Sequence, residues 1–242
     1  MHQVYKTRGF VFKKKDRADA DQIFSVFAED FGRIEVFAKS IRAIASKLKG
    51  GMEIFCVSDI EFIQGKNYKT LTNAVLHEKF SDIAIVPEKM EVAAKVSGLL
   101  NDFIKEQQPD QGIWNLVIDF FEKLHHCLLP VSTYRLTYYY FFWNFISVLG
   151  YKPELFKCVH CSQILNSGHL YFSHKEGGII CKSCFLNLGN AKEINADVVK
   201  ILRLFLNNDW QTILKLKVQS TSYKLLQEIS DNYNSYLSGI LV

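Results

Sequence analysis

The sequence predicts an α+β chain: a small five-stranded β-barrel over residues 1–80, then an all-α domain over residues 81–242, with a four-cysteine insert at 156–188. Three observations predict it. Short alternating β-branched and aromatic runs fill the first 80 residues, helical periodicity takes over after Phe80, and two C-x-x-C pairs stand nineteen residues apart in the second half.

The strands come first. Val4 to Lys14, Gln22 to Ala28, Arg33 to Lys39, Met52 to Ile63 and Tyr68 to Glu78 alternate apolar with polar residues. Asp16 to Asp21, Asp30-Phe31-Gly32, Gly50-Gly51 and Gln64-Gly65-Lys66-Asn67 supply the turn chemistry between them. Five short strands cannot leave long edges bare and stay soluble, so a closed or nearly closed barrel is expected. An OB-type barrel fits the count, and an SH3-like barrel fits nearly as well.

After Phe80, Met90, Ala93, Ala94, Val96, Leu99, Leu100 and Phe103 follow three-and-four spacing, with Pro87 opening the helix. Further helices are expected over Ile113 to Leu128, Ser132 to Leu149, Ala196 to Leu206 and Tyr223 to Leu237. All four prolines fall at proposed helix boundaries, where the missing N–H does no harm. The run from Tyr138 to Phe145 puts rings on every side of a helix, which marks a buried core helix in preference to a base-stacking surface.

Composition excludes several classes. At 48% hydrophobic and 22% charged, the chain is neither disordered nor membrane-spanning in pattern. The start, Met1 to Lys6, lacks a secretory pattern, so a cytoplasmic protein is expected, with its six cysteines as thiols or metal ligands. Cys56 and Cys127 fit small core hydrophobes. The net charge of +4 is unevenly placed, since residues 1–80 hold 14 Lys+Arg against 10 Asp+Glu and the remainder is formally neutral.

Cys158-Val-His-Cys161 and Cys181-Lys-Ser-Cys184 match the two knuckles of a tetrahedral four-cysteine zinc site. Leu170 to Ser173 as a strand and Gly177-Gly178 as a turn complete a zinc ribbon. Four thiolates close the metal's shell, so the expected zinc is structural, without the open position that catalysis needs. His160 and His174 are weaker substitute ligands. His174-Lys-Glu176 before Cys181 imitates part of a zinc deaminase, but Ile180 stands where that pattern has proline, and Cys158 and Cys161 would have no role. Neither a phosphate-gripping glycine loop nor a catalytic triad motif is recognisable, and a non-enzyme is expected.

The basic front comprises Lys13, Lys14, Lys15, Arg17, Arg33, Lys39, Arg42, Lys47 and Lys49. Such cations along a barrel groove would neutralise phosphates in a sequence-tolerant, salt-sensitive way. Tyr5, Phe10, Phe12 and Phe37 interleave with them, although strand alternation favours the barrel core for rings of this kind.

These residues together resemble the RecO family of recombination mediators. The resemblance rests on Asp21 to Ile34, Ala38-Lys39, Arg42 and Ser46-Lys47-Leu48 in the front, then Tyr140 to Phe145, Leu149 to Leu155 and both cysteine pairs. Ser40-Ile41 departs from the Gly-Ala expected there, and the stretch after Leu188 carries little signature. The resemblance implies an amino-terminal OB fold, a helical domain with a zinc ribbon, and binding of single- and double-stranded DNA with strand annealing in bacterial, nucleoid-associated repair. It also implies RecR and the acidic, apolar-ended tail of the single-stranded DNA-binding protein as partners, with RecA loaded at gaps, and no membrane. The alternative is a zinc-ribbon scaffold that acts only through proteins.

Overall fold

The computed structural model describes residues 3–65, 68–105, 108–128, 130–165 and 168–241. The chain divides into two compact units, residues 1–127 and 128–242.

In the first unit, β1 (Val4–Arg17), β2 (Asp21–Ala28), β3 (Gly32–Ala38), β4 (Cys56–Gln64) and β5 (Lys69–Lys79) close a barrel in the order β1-β2-β3-β5-β4. All five fall where alternation places them, in the OB-type arrangement with β3 and β5 parallel and the other pairs antiparallel. Lys66 and Asn67 of the expected turn before β5 lie outside the described residues. Val11, Phe24, Val26, Ile34, Val36, Ile60, Phe62 and Leu71 fill the interior.

β1 serves two neighbours and bends to do so, with a register shift between Val11 and Lys13. Gly9 lies under the curve, where a Cβ would sit 2.4 Å from a methyl of Val26. At Gly32, which ends the β2–β3 turn, φ is +62° and a Cβ would meet the Gln108 backbone, so only glycine fits.

Among the described residues, three α-helices belong to this unit: α1 (Ser81–Ile85), α2 (Pro87–Phe103) and α3 (Gln111–His126). Pro87 opens α2, and Asp110 caps α3 by accepting the Ile113 N–H at 2.9 Å. Phe121 of α3 packs on Phe10 at 4.5 Å between ring centroids and on Phe55 at 5.5 Å, while Trp114 meets Phe27. Phe10 and Phe12 are therefore buried on the outside of the barrel, and alternation fails there because β1 is covered on both faces. A boundary at residue 80 follows the change of periodicity, whereas this aromatic packing groups α1–α3 with the barrel. The Lys89 side chain, wholly buried, donates to the His125 carbonyl at 2.6 Å and ties α2 to the end of α3.

The second unit begins with α4 (Val131–Val148), followed by β6 (Leu170–Ser173), β7 (Gly178–Cys181), α5 (Lys182–Leu188), β8 (Lys192–Ile194), α6 (Ala196–Leu206), α7 (Trp210–Lys215) and α8 (Ser220–Leu241). Residues Tyr139 to Ile146 of α4 are buried. Trp143 stacks on Tyr233 and donates to Ser230 Oγ at 2.9 Å, and Asn144 donates to the Tyr140 and Phe205 carbonyls. The ring-rich helix is core, as its all-round apolarity predicts. A three-stranded sheet, β7-β6-β8, carries Cys181 at the end of β7 and forms the base of the ribbon, which runs past residue 188 to include β8. No helix among the described residues is long and apolar enough to cross a membrane.

Candidate metal centre and nucleic-acid face

The four cysteines converge. Cys158 and Cys161 lie on the turn after α4, Cys181 ends β7, and Cys184 sits in the first turn of α5. Their sulfurs all lie within 4.8 Å of one another, with Cys161 and Cys181 at 3.9 Å. Metal–sulfur bonds of about 2.3 Å in a tetrahedron require sulfur–sulfur edges of about 3.8 Å, so one ion fits the set; a polynuclear iron–sulfur cluster would hold its cysteines further apart. Neither His160 nor His174 joins the group.

Local backbone bonds fix each knuckle. Ser162 takes φ of +61° and returns its N–H to the Cys158 carbonyl at 2.8 Å, while the Cys158 N–H donates to Gln163. The Val159 N–H donates to the Ile179 carbonyl at 2.9 Å, docking the first knuckle on β7. Gly178 permits that approach, since a Cβ would lie 2.6 Å from the Glu154 carbonyl oxygen. Tyr171 and Phe185 stack at 3.7 Å as part of the shell around the sulfurs.

Burial works against charge on Cys158, yet the N–H groups of Cys161, Cys181 and His160 outweigh it and hold the thiol down at about 6. Burial, followed by hydrogen bonds within the cluster, pushes Cys184 up to about 12. Four mutually repelling thiolates are costly without a cation among them, which is the electrostatic condition a soft divalent ion relieves.

The nine basic residues do not form one strip. Lys14 pairs in register with Phe24 and opens on a cleft of about 420 Å³ that also takes in Arg42 and Lys49. Lys13, Lys15 and Arg17 stand on the opposite face of β1, all exposed. Arg42 is braced by Asp16 at 3.2 Å and by the Ala18 and Asp19 carbonyls, so it pins the β1–β2 turn. Lys39 and Lys47 are exposed. Arg33 is engaged internally: its guanidinium donates to the carbonyls of Asn101 and Ile104 at the end of α2, at 2.7 and 2.9 Å, and only 18% of its side chain is exposed.

Of the interleaved rings, Phe10 and Phe12 are buried, and Tyr5 stacks on Phe62. Phe37 also lies on the outer barrel face but is only half-buried there, near Tyr68 and Arg17. Tyr68 opens the fifth expected strand, next to a turn, and carries no further sequence signal.

A second concavity lies within the helical unit, a groove of about 700 Å³ between the start of α4 and the α7–α8 connection. Leu136, Leu216 and Val218 give it an apolar lining, and the exposed cations Arg135, Lys217 and Lys224 stand at its rim. Nothing in the spacing of residues 216–224 signals it, because its walls come from elements some eighty residues apart.

A closed five-stranded barrel with exposed cations, joined to a helical unit in which four cysteines converge, defines a two-unit chain with one candidate metal centre among the described residues. The comparisons agree in particular. Residues 1–80 match the family described as recombination protein O, N terminal, and residues 87–240 match recombination protein O, C terminal. A protein of Dehalococcoides mccartyi named DNA repair protein RecO is 34% identical over 214 residues, covering 88% of this chain and 83% of its own. Proteins of the same name from Acetivibrio thermocellus and Desulforamulus reducens are 27% and 25% identical, covering 94% and 99% of this chain and 89% and 90% of theirs. The chain belongs to the RecO family.

Proposed function

We propose that this chain is a recombination mediator in DNA repair: it binds single- and double-stranded DNA, anneals complementary strands, and with RecR helps load RecA at gaps. The observation that carries the reading is the exposed cation set Lys13, Lys14, Lys15, Arg17, Lys39, Arg42, Lys47 and Lys49 on a closed OB-type barrel. Holding two polyanions together requires screening of their repulsion with bases left accessible, and such a surface does this without an acid, a base or a nucleophile. Arg33 supports that surface by anchoring α2.

The ion in the four-cysteine site is Zn²⁺ in this reading, in a structural role: it holds the ribbon closed and takes no part in chemistry. The acidic, apolar-ended tail of the single-stranded DNA-binding protein docks in the groove of the helical unit. Its terminal apolar side chains meet Leu136, Leu216 and Val218, and its carboxylates meet Arg135, Lys217 and Lys224.

Fluorescence anisotropy of labelled single strands and duplexes across a salt series tests the core of this. The expected result is binding at low salt with log affinity falling linearly against log salt, together with accelerated oligonucleotide pairing in the absence of nucleotide triphosphates. A pure protein that ignores both strands in dilute buffer would overturn the reading and leave a scaffold that acts only through proteins.

A further inference from the structure

On the outer face of the barrel, two large rings lie side by side. Val36 and Ala38 of β3 point into the core, which turns Phe37 outward, and it is half-buried there. Tyr68, just before β5, stays 40% exposed with its ring centroid 6.1 Å from that of Phe37, the two planes inclined at 40°. Their tilt means that they do not stack fully on each other. Arg17 completes the group, with its guanidinium carbon 4.5 Å from the Tyr68 centroid and 5.6 Å from that of Phe37.

The surroundings suit a nucleotide. Tyr68 borders a cleft of about 580 Å³ whose charged lining is Arg33, Lys69, Lys105 and a single carboxylate, Glu35. That carboxylate accepts the Ser25 hydroxyl at 2.7 Å and lies 3.4 Å from the Arg33 guanidinium, so its charge is largely answered. Lys15, next to Ile23 and Phe37 across the strands, is exposed on the same face. In the OB fold the face of the second and third strands, with the loop before the fifth, takes oligonucleotides, and Phe37 and Tyr68 occupy those two places. A planar cation already lies over the rings, in the place where another flat group would stack.

We propose that Tyr68 and Phe37 form a stacking platform for one unpaired base of single-stranded DNA, a role that rests on the DNA-binding reading above. In the free protein Arg17 holds the stacking position; as the base enters, the guanidinium passes to the neighbouring phosphate. A base inside a duplex has both faces covered and cannot use the platform. The platform therefore engages a strand awaiting its complement and lets go as pairing proceeds, which releases the annealed product while the lysines supply the sequence-independent hold.

The test uses full-length protein, its Tyr68→Ala and Tyr68→Trp variants, and three labelled probes: an oligothymidylate, an abasic strand of equal length, and a duplex. Equal melting temperatures and metal contents show that the variants are folded. The expected result is an oligothymidylate affinity roughly tenfold above that for the abasic strand in the parent, retained by Tyr68→Trp and abolished by Tyr68→Ala, with abasic and duplex affinities within about twofold throughout. A folded Tyr68→Ala protein that keeps the base preference overturns the platform, as does a parent that binds all three probes equally; the latter leaves DNA binding itself standing. A parent that binds none of them removes the DNA reading together with the platform.

Discussion

The backbone N–H of Cys181 points at the sulfur of Cys158 across 3.4 Å, joining the two knuckles before any metal is considered. This bond, with the amides of Cys161 and His160, favours a thiolate on Cys158. The ribbon's sheet is small, only four residues each in β6 and β7, and cannot by itself bury enough to be stable.

Removing the metal should therefore melt the ribbon. Zinc quantification is expected to give one ion per chain, and Cys158→Ser or a strong chelator to lower the melting temperature of the helical unit by more than about 10 °C, since a structural ion contributes folding energy outright. DNA affinity measured at low temperature should hold within about twofold, because the cations lie in the other unit.

Arg33 gives a second prediction. Its two bonds to backbone carbonyls at the end of α2 are charge-assisted and mostly buried. Arg33→Ala should destabilise the barrel unit by about 2 to 3 kcal/mol in a denaturant titration, while the affinity of the folded fraction for single strands stays nearly constant. A large drop in DNA affinity at unchanged stability would place Arg33 on the DNA instead.

The sequence pattern located every barrel strand to within a few residues because alternation needs only one buried face. It failed at Phe10 and Phe12, since Phe121 of α3 covers the first and the Arg33 guanidinium the second from outside, and period two vanishes when both faces are buried. The cysteine knuckles were legible from spacing alone. Four short elements, α1, α5, α7 and β8, escaped because three to seven residues hold too little of either period to register. The basic residues were legible as a group but not in their division: the pairing of Lys14 with Phe24 separates it from Lys13 and Lys15, and the engagement of Arg33 depends on where α2 ends.

His174 carries a pH prediction. It lies among Phe172 and Tyr233, and its Nε2 is buried without a hydrogen-bond partner among the described residues. Burial holds its pKa below the ordinary value of 6.5, the Ile229 carbonyl opposing only in part. The unfolded chain thus binds a proton more readily than the folded one. The stability this neutral ring contributes is fully present above about pH 6.5 and is lost as pH falls through the lowered folded value. Melting temperatures from pH 8 to 5 should show the helical unit weakening below about 6.5, and His174→Asn should flatten that part of the profile.

The basic surface makes the most demanding prediction. Lys13, Lys14 and Lys15 are adjacent in β1 yet face two sides of it, with Lys14 on the cleft shared by Arg42 and Lys49 and the other two on the face of Phe37. If both sides meet phosphates, Lys14→Glu alone should weaken single-strand binding severalfold, and the triple charge reversal should do so by more than tenfold at low salt. The log–log salt slope should shrink by about 0.7 for each phosphate left without its cation, roughly two for the triple variant. Annealing of complementary oligonucleotides should slow in the same order, because the step is limited by bringing two polyanions together. Single and triple variants with the parent's slope and annealing rate would show that these lysines are only a solvated strand end, and would move the DNA-binding surface elsewhere on the barrel.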